Sequence, residues 1–183
     1  HLGWLLSMGL PARDGFVITA AAFRLIMQES GLADRARHEW ALLEDSDPTR
    51  VSAMSQRLAD LVTGVPLPLE MEAAIRQALA DLFGRLGGEC RLSVRSSAVG
   101  EDMEASYAGQ YRTELNVPAE EVLRAYRAVA ASVYDPQAVL YRHRLSLRDE
   151  DAEMAVLVMP MIKPVVSGVL YTCLLYTSDA ADE

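Results

Sequence analysis

The chain has 183 residues, 51% hydrophobic and 23% charged, with 17 basic against 26 acidic side chains and a formal net charge of -9. That length holds one sizeable domain or two small ones, and the acidic balance argues against a nucleic-acid or anionic-membrane surface, which needs clustered positive charge, while leaving room for one basic pocket. Cys90 and Cys173 are too far apart for a ligand pair, His1, His38 and His143 share no metal or catalytic spacing, and no run reaches the roughly 18 apolar residues of a membrane helix, so a cytoplasmic protein without a metal site or disulfide framework is expected.

In chain order, Leu2 to Met8 reads as the back half of a helix stopped by Gly9, and the apolar opening lacks the basic start and cleavage site of a signal peptide. Pro11 and Gly15 punctuate a turn before a short strand, Phe16 to Thr19. Thr19 then caps a helix that Gly31 ends. From Leu32 to about Leu86 the chain is mostly helical. Val51, Met54, Leu58, Leu61 and Val62 line one face, and Met71, Ile75, Leu79 and Leu82 line another, with Gly87 and Gly88 closing the run.

The character then changes. CRLSVRSS reads as a strand, a small-residue loop follows, and YRTELNV is a second strand. Residues 118–147 are helical, with Pro118 near the first turn and Pro136 splitting the region in two. EMAVLVMPMI is an apolar strand of the kind buried on both faces, with PVVSGVLYT as its partner. The residues from Cys173 to Glu183 resemble the read-through of a sequencing adapter and are set aside as a non-native tail, a genuine acidic tail being the alternative. The first residue is not Met, so the chain is expected to start inside a longer reading frame. Helices first, then strands around a helical hairpin, give an α+β domain rather than a doubly wound fold.

Three segments carry chemistry. Arg95 stands at the mouth of an apolar strand, where a guanidinium needs an anion; its planar fork suits a phosphate, and an internal salt bridge to Glu101 or Asp102 is the alternative. Ser96 and Ser97 can donate to phosphate oxygens or merely cap the turn. The loop Ala98 to Gln110, with Gly100 and Gly109, has the small residues that let backbone amides form an anion nest, but it ends in no glycine-Lys-Ser/Thr signature. In VMPMIKP, Pro160 inside the apolar run points to an edge or a bulge whose unpaired backbone groups can meet an adenine edge while Met161 and Ile162 line the ring; plain core strand is the alternative. Lys163 behind it reads as a phosphate ligand or as an exposed strand-end lysine.

The order of GLPARDGFVITAAAFR, LSVRSSAVGEDMEASYAGQYRTELNV and YRHRLSLRDEDAEMAVLVMPMIKPVVSGVLYT resembles the nucleotide-binding domain of the phosphoenolpyruvate synthase and pyruvate phosphate dikinase family, across residues 2–172. The resemblance implies an incomplete ATP-grasp-like domain over residues 1–172, in which two subdomains clamp ATP. It implies that Arg95, with Ser96 beside it, binds ATP phosphates as the catalytic cation. It also implies that Gly109, Gln110 and Thr113 close over the nucleotide and that Met159, Met161 and Ile162 belong to the hinge that meets adenine. The family carries Gln where this chain has Met159. Glu101 and Asp102 match the family's acidic pair and are read as fixing the loop. The implied parent reaction takes ATP, pyruvate and water to phosphoenolpyruvate, AMP and phosphate, through a phosphohistidine on a further domain. An antibiotic-phosphorylating relative of the rifamycin phosphotransferase type and a non-catalytic ATP-sensing module are the alternatives. Magnesium ligands are expected past Thr172, a phosphate-binding lysine before His1, and the full-length protein as a homo-oligomer whose other domains meet pyruvate. The chain alone is expected to be an incomplete catalyst.

Overall fold

The structure, a computed structural model, describes residues 7–9, 13–41, 48–98, 111–144 and 153–168. Its elements in chain order are β1 (Phe16–Ile18), α1 (Ala20–Glu29), α2 (Leu32–Ala41), α3 (Pro48–Gly64), α4 (Leu69–Leu86), β2 (Leu92–Ala98), β3 (Thr113–Val117), α5 (Val122–Ala131), α6 (Pro136–Arg144) and β4 (Met154–Pro160), with short 3-10 turns before and after α5. Punctuation accounts for most boundaries. Gly87 adopts the left-handed conformation that ends α4, and Gly88 donates its amide back to Phe83 O at 3.0 Å, closing the last turn. Thr19 holds the extended backbone of an N-cap but makes no side-chain cap bond; its carbonyl accepts from Ala22 N–H at 3.0 Å. Pro136 opens α6, where its missing N–H costs nothing.

The four strands form one antiparallel sheet in the order β1-β4-β2-β3. Leu92 and Val94 of β2 and Met154, Val156 and Val158 of β4 turn to one face and are fully buried. Helix α5 covers that face along β2, β3 and β4, α1 packs on β4, and α3 packs on α5 from outside. The core continues through Phe23, Ile26, Leu58, Leu82, Tyr126 and Val129. Each such side chain contributes about 1.5–3 kcal/mol of apolar burial. Arg142 of α6 is buried with its guanidinium carbon 5.7 Å from the Trp40 ring centre, so a cation–π contact joins α6 to α2.

Two expectations are corrected. β4 is buried on one face only: Ala155, Leu157 and Met159 alternate to the other side and are half-buried. Its partners among the described residues are β1 and β2; of the expected partner PVVSGVLYT, residues 164–168 form no strand and residues 169–172 lie outside the described residues. Pro160 accordingly closes a central strand, and its missing N–H falls where pairing runs out. The expected helix over Leu2 to Met8 is described only at its end. The residues from Cys173 to Glu183, along with Glu101 and Asp102, lie outside the described residues.

Tyr126 makes a testable point about the helical layer. Its side chain is fully buried, its hydroxyl has no hydrogen-bond partner among the described residues, and burial pushes its phenol well above the ordinary tyrosine range. Tyr126→Phe removes a desolvated hydroxyl and keeps the ring. Urea unfolding should show equal or greater stability, by up to about 1 kcal/mol. A clear loss would mean that the hydroxyl is bonded.

Candidate functional site

The face of the sheet turned away from α1 and α5 is the open one. Strand alternation brings Val17, Leu157, Arg95 and Thr113 into one row across it, because Val17 pairs with Leu157, Leu157 with Arg95, and Arg95 with Thr113. Val17 is 52% exposed, and Arg95 and Thr113 are exposed. The row is therefore an apolar platform at one end and a guanidinium beside a hydroxyl at the other. Side chains paired this way have Cβ atoms about 4.5–5.5 Å apart, so one anionic group can touch Arg95 and Thr113 together. Among the described residues Arg95 has no ion pair, whereas Arg112, just before Thr113, is held by Glu114 at 2.6 Å. The alternative partners Glu101 and Asp102 are outside the described residues.

Strand parity also sorts the serines. Ser97 shares Arg95's face and is exposed; Ser96, half-buried and paired with Val156, turns to the core-facing side. The structure thus brings Arg95 and Thr113 together and sets the Ser96 side chain apart from them. Gly109 and Gln110 lie outside the described residues. Counting by two from Arg95 would have singled out Ser93 and Ser97 in the sequence; Val17 and Leu157 needed the pairing of strands.

One register step from this row, Met159 lies opposite Ser93, and the next step carries Met161 N–H to Arg91 O at 2.8 Å. In an antiparallel ladder successive residues point their backbone groups to opposite sides. Met161 therefore spends its amide on β2, while the Pro160 carbonyl, one residue back at the end of β4, is turned to the opposite side. Ile162 and Lys163 are exposed.

Gly15 closes this end of the site. A Cβ on it would stand 2.6 Å from Val158 O and 3.0 Å from Met159 Cγ, so only a glycine lets the chain before β1 lie against β4. Asp14 anchors that approach. It accepts from Gly15 N–H at 2.8 Å and from Arg85 Nε and Nη2 at 2.7 and 3.2 Å. The Arg85 fork first, and then the Gly15 amide, hold the Asp14 carboxyl below its ordinary range. A lowered folded-state value means the tether is complete at neutral pH and is lost only as pH falls below the carboxylate range.

The described residues bring no three His, Cys, Asp or Glu side chains together as a metal site. Among them, no helix is long and apolar enough to cross a membrane.

The chain is 36% identical over 174 residues to a probable phosphoenolpyruvate synthase of Archaeoglobus fulgidus, covering 94% of this chain and 23% of that protein. It is 35% identical over 178 residues to the phosphoenolpyruvate synthase of Aeropyrum pernix, covering 93% and 21%. It is 37% identical over 182 residues to a rifampicin phosphotransferase of a Streptomyces species, covering 98% and 21%. The chain thus spans about a fifth of the length of these relatives. The family described as pyruvate phosphate dikinase, AMP/ATP-binding domain, matches residues 1–182, and the chain belongs to it.

Proposed function

We propose that the open face of the sheet is one wall of an ATP-grasp nucleotide site, and that the chain is the ATP-binding portion of a phosphoenolpyruvate synthase-like phosphotransferase. The observation that carries this is the row of Leu157, Arg95 and Thr113, beside the end of β4 at Met159 and Pro160 and the two residues after it. Arg95 takes phosphate oxygens bidentately, and Thr113 adds a hydroxyl. Gly109 and Gln110 close over the nucleotide from the loop before Thr113. Met159, Met161 and Ile162 face the base, with the Pro160 carbonyl and Ile162 N–H as the backbone pair reading its edge. Ser96 contributes through its place beside Arg95 rather than through its side chain. The site's work is positioning and charge neutralisation; magnesium, when bound, would add cationic charge at the phosphates from ligands elsewhere in the protein.

In the full-length protein the phosphoryl group passes to a histidine on another domain and then to pyruvate. A second reading, transfer to a rifamycin-type antibiotic, is favoured by the match to the Streptomyces protein. Full-length protein given ATP with pyruvate, or ATP with rifampicin, separates them by AMP release. Release dependent on pyruvate is expected. Release only with rifampicin would select the second reading, and binding of ATP without turnover with either would leave a sensing module.

A further inference from the structure

Ser93 is the residue of the open face that the nucleotide reading leaves unused. It is 5% exposed, and its hydroxyl has no hydrogen-bond partner among the described residues. A buried hydroxyl without a partner lowers stability, so its presence calls for a cause. Ser55 and Tyr126 share this condition within α3 and α5, whereas Ser93 lies in the sheet.

Its position is specific. Ser93 precedes Arg95 by two residues on the same face of β2, about 7 Å along the strand. Across one edge it is paired with Met159. Across the other, the register shifts: Leu92 pairs with Val117 and Val94 with Glu114, so Leu115 and Asn116 together stand opposite Ser93. Asn116 takes a left-handed backbone, φ 57°, and its carbonyl accepts from Arg91 Nη1 at 3.3 Å. A bulge of this kind re-aims the residues around it. Ser93 thus sits between the phosphate-facing guanidinium and the end of β4 that meets the base.

We infer that the Ser93 hydroxyl anchors the nucleoside end of the bound nucleotide, near the ribose, and that Met159 is the side chain that moves to uncover it. This rests on the nucleotide reading above. A nucleotide with phosphates at Arg95 and its base at Pro160 and Ile162 carries its ribose over Ser93. A hydroxyl both donates and accepts, which suits ribose hydroxyls. Met159 is unbranched and flexible, and it rests against Gly15, which offers no side chain to hold it.

The test measures binding of ATP and of inorganic tripolyphosphate, which has no nucleoside, to full-length wild type, Ser93→Ala and Arg95→Ala. Ser93→Ala should weaken ATP roughly three- to tenfold, the loss expected of one neutral hydrogen bond. It should leave tripolyphosphate unchanged and leave the unliganded melting temperature equal or higher. An unchanged ATP affinity, an equal loss for both probes, or a lowered melting temperature would each overturn the role of Ser93. Arg95→Ala reads the underlying assignment separately: it should weaken both probes, and full retention of both would overturn the nucleotide site itself.

Discussion

Arg95→Ala should leave the fold intact and raise the Kd for ATP by about ten- to a hundredfold, a loss of about 1.5–3 kcal/mol for a charge-assisted contact. The fold is spared because the side chain is exposed and makes no ion pair among the described residues. Removing it opens no cavity, and its strand neighbours Val94 and Ser96 keep their burial. The affinity falls because Arg95 is the cation in a row otherwise made of Val17, Leu157 and Thr113. Arg95→Lys restores the charge but not the planar fork, so it should recover only part of the loss. Raising the salt concentration should narrow the gap between wild type and Arg95→Ala, since the contact is electrostatic and exposed. A folded Arg95→Ala protein that binds ATP like wild type would remove the guanidinium from the site, and with it the main support for the phosphate end.

How far the sequence carried this site depended on whether the information was local. Gly87 and Pro136 act on their own neighbours, and the helices end and begin where these residues require. Arg95 was legible because a guanidinium in an apolar strand is chemically out of place. Which of the two following serines joins it was also legible in principle, since alternation alone turns Ser96 inward and Ser97 outward. The partners of β4 were not. PVVSGVLYT follows β4 in the chain, whereas β1 and β2 come from segments far upstream, and nothing in the apolar pattern of MAVLVMP distinguishes them. That pattern also suggested burial on both faces. Leu157 and Met159 instead lie half-buried on the face of the sheet turned away from α1 and α5. Ser93 was hidden for a related reason: its pairing with Met159 and its place opposite the β3 bulge are set by tertiary pairing.

Gly15→Val is the second large effect expected. The added Cβ would stand 2.6 Å from Val158 O and 3.0 Å from Met159 Cγ. Real Cβ atoms do not tolerate the first distance, and the oxygen belongs to the central strand of the sheet, paired on both sides. Something must move, and the cheapest movement lifts the chain before β1 away from β4. Overpacking of this kind costs about 1–3 kcal/mol, read as a lower urea midpoint with an unchanged slope. The Asp14 tether resists the movement, since Asp14 is bonded to both Arg85 and the Gly15 amide. ATP affinity should fall too, because Met159 loses the surface it rests on. The double variant Gly15→Val with Met159→Ala, set against each single variant, separates the two contacts. Removing the Met159 side chain relieves the 3.0 Å contact and leaves the carbonyl contact in place, so stability should return only in part. Full recovery would mean that the glycine is there for the methionine alone, and that β1 has room to approach β4 with a side chain at position 15.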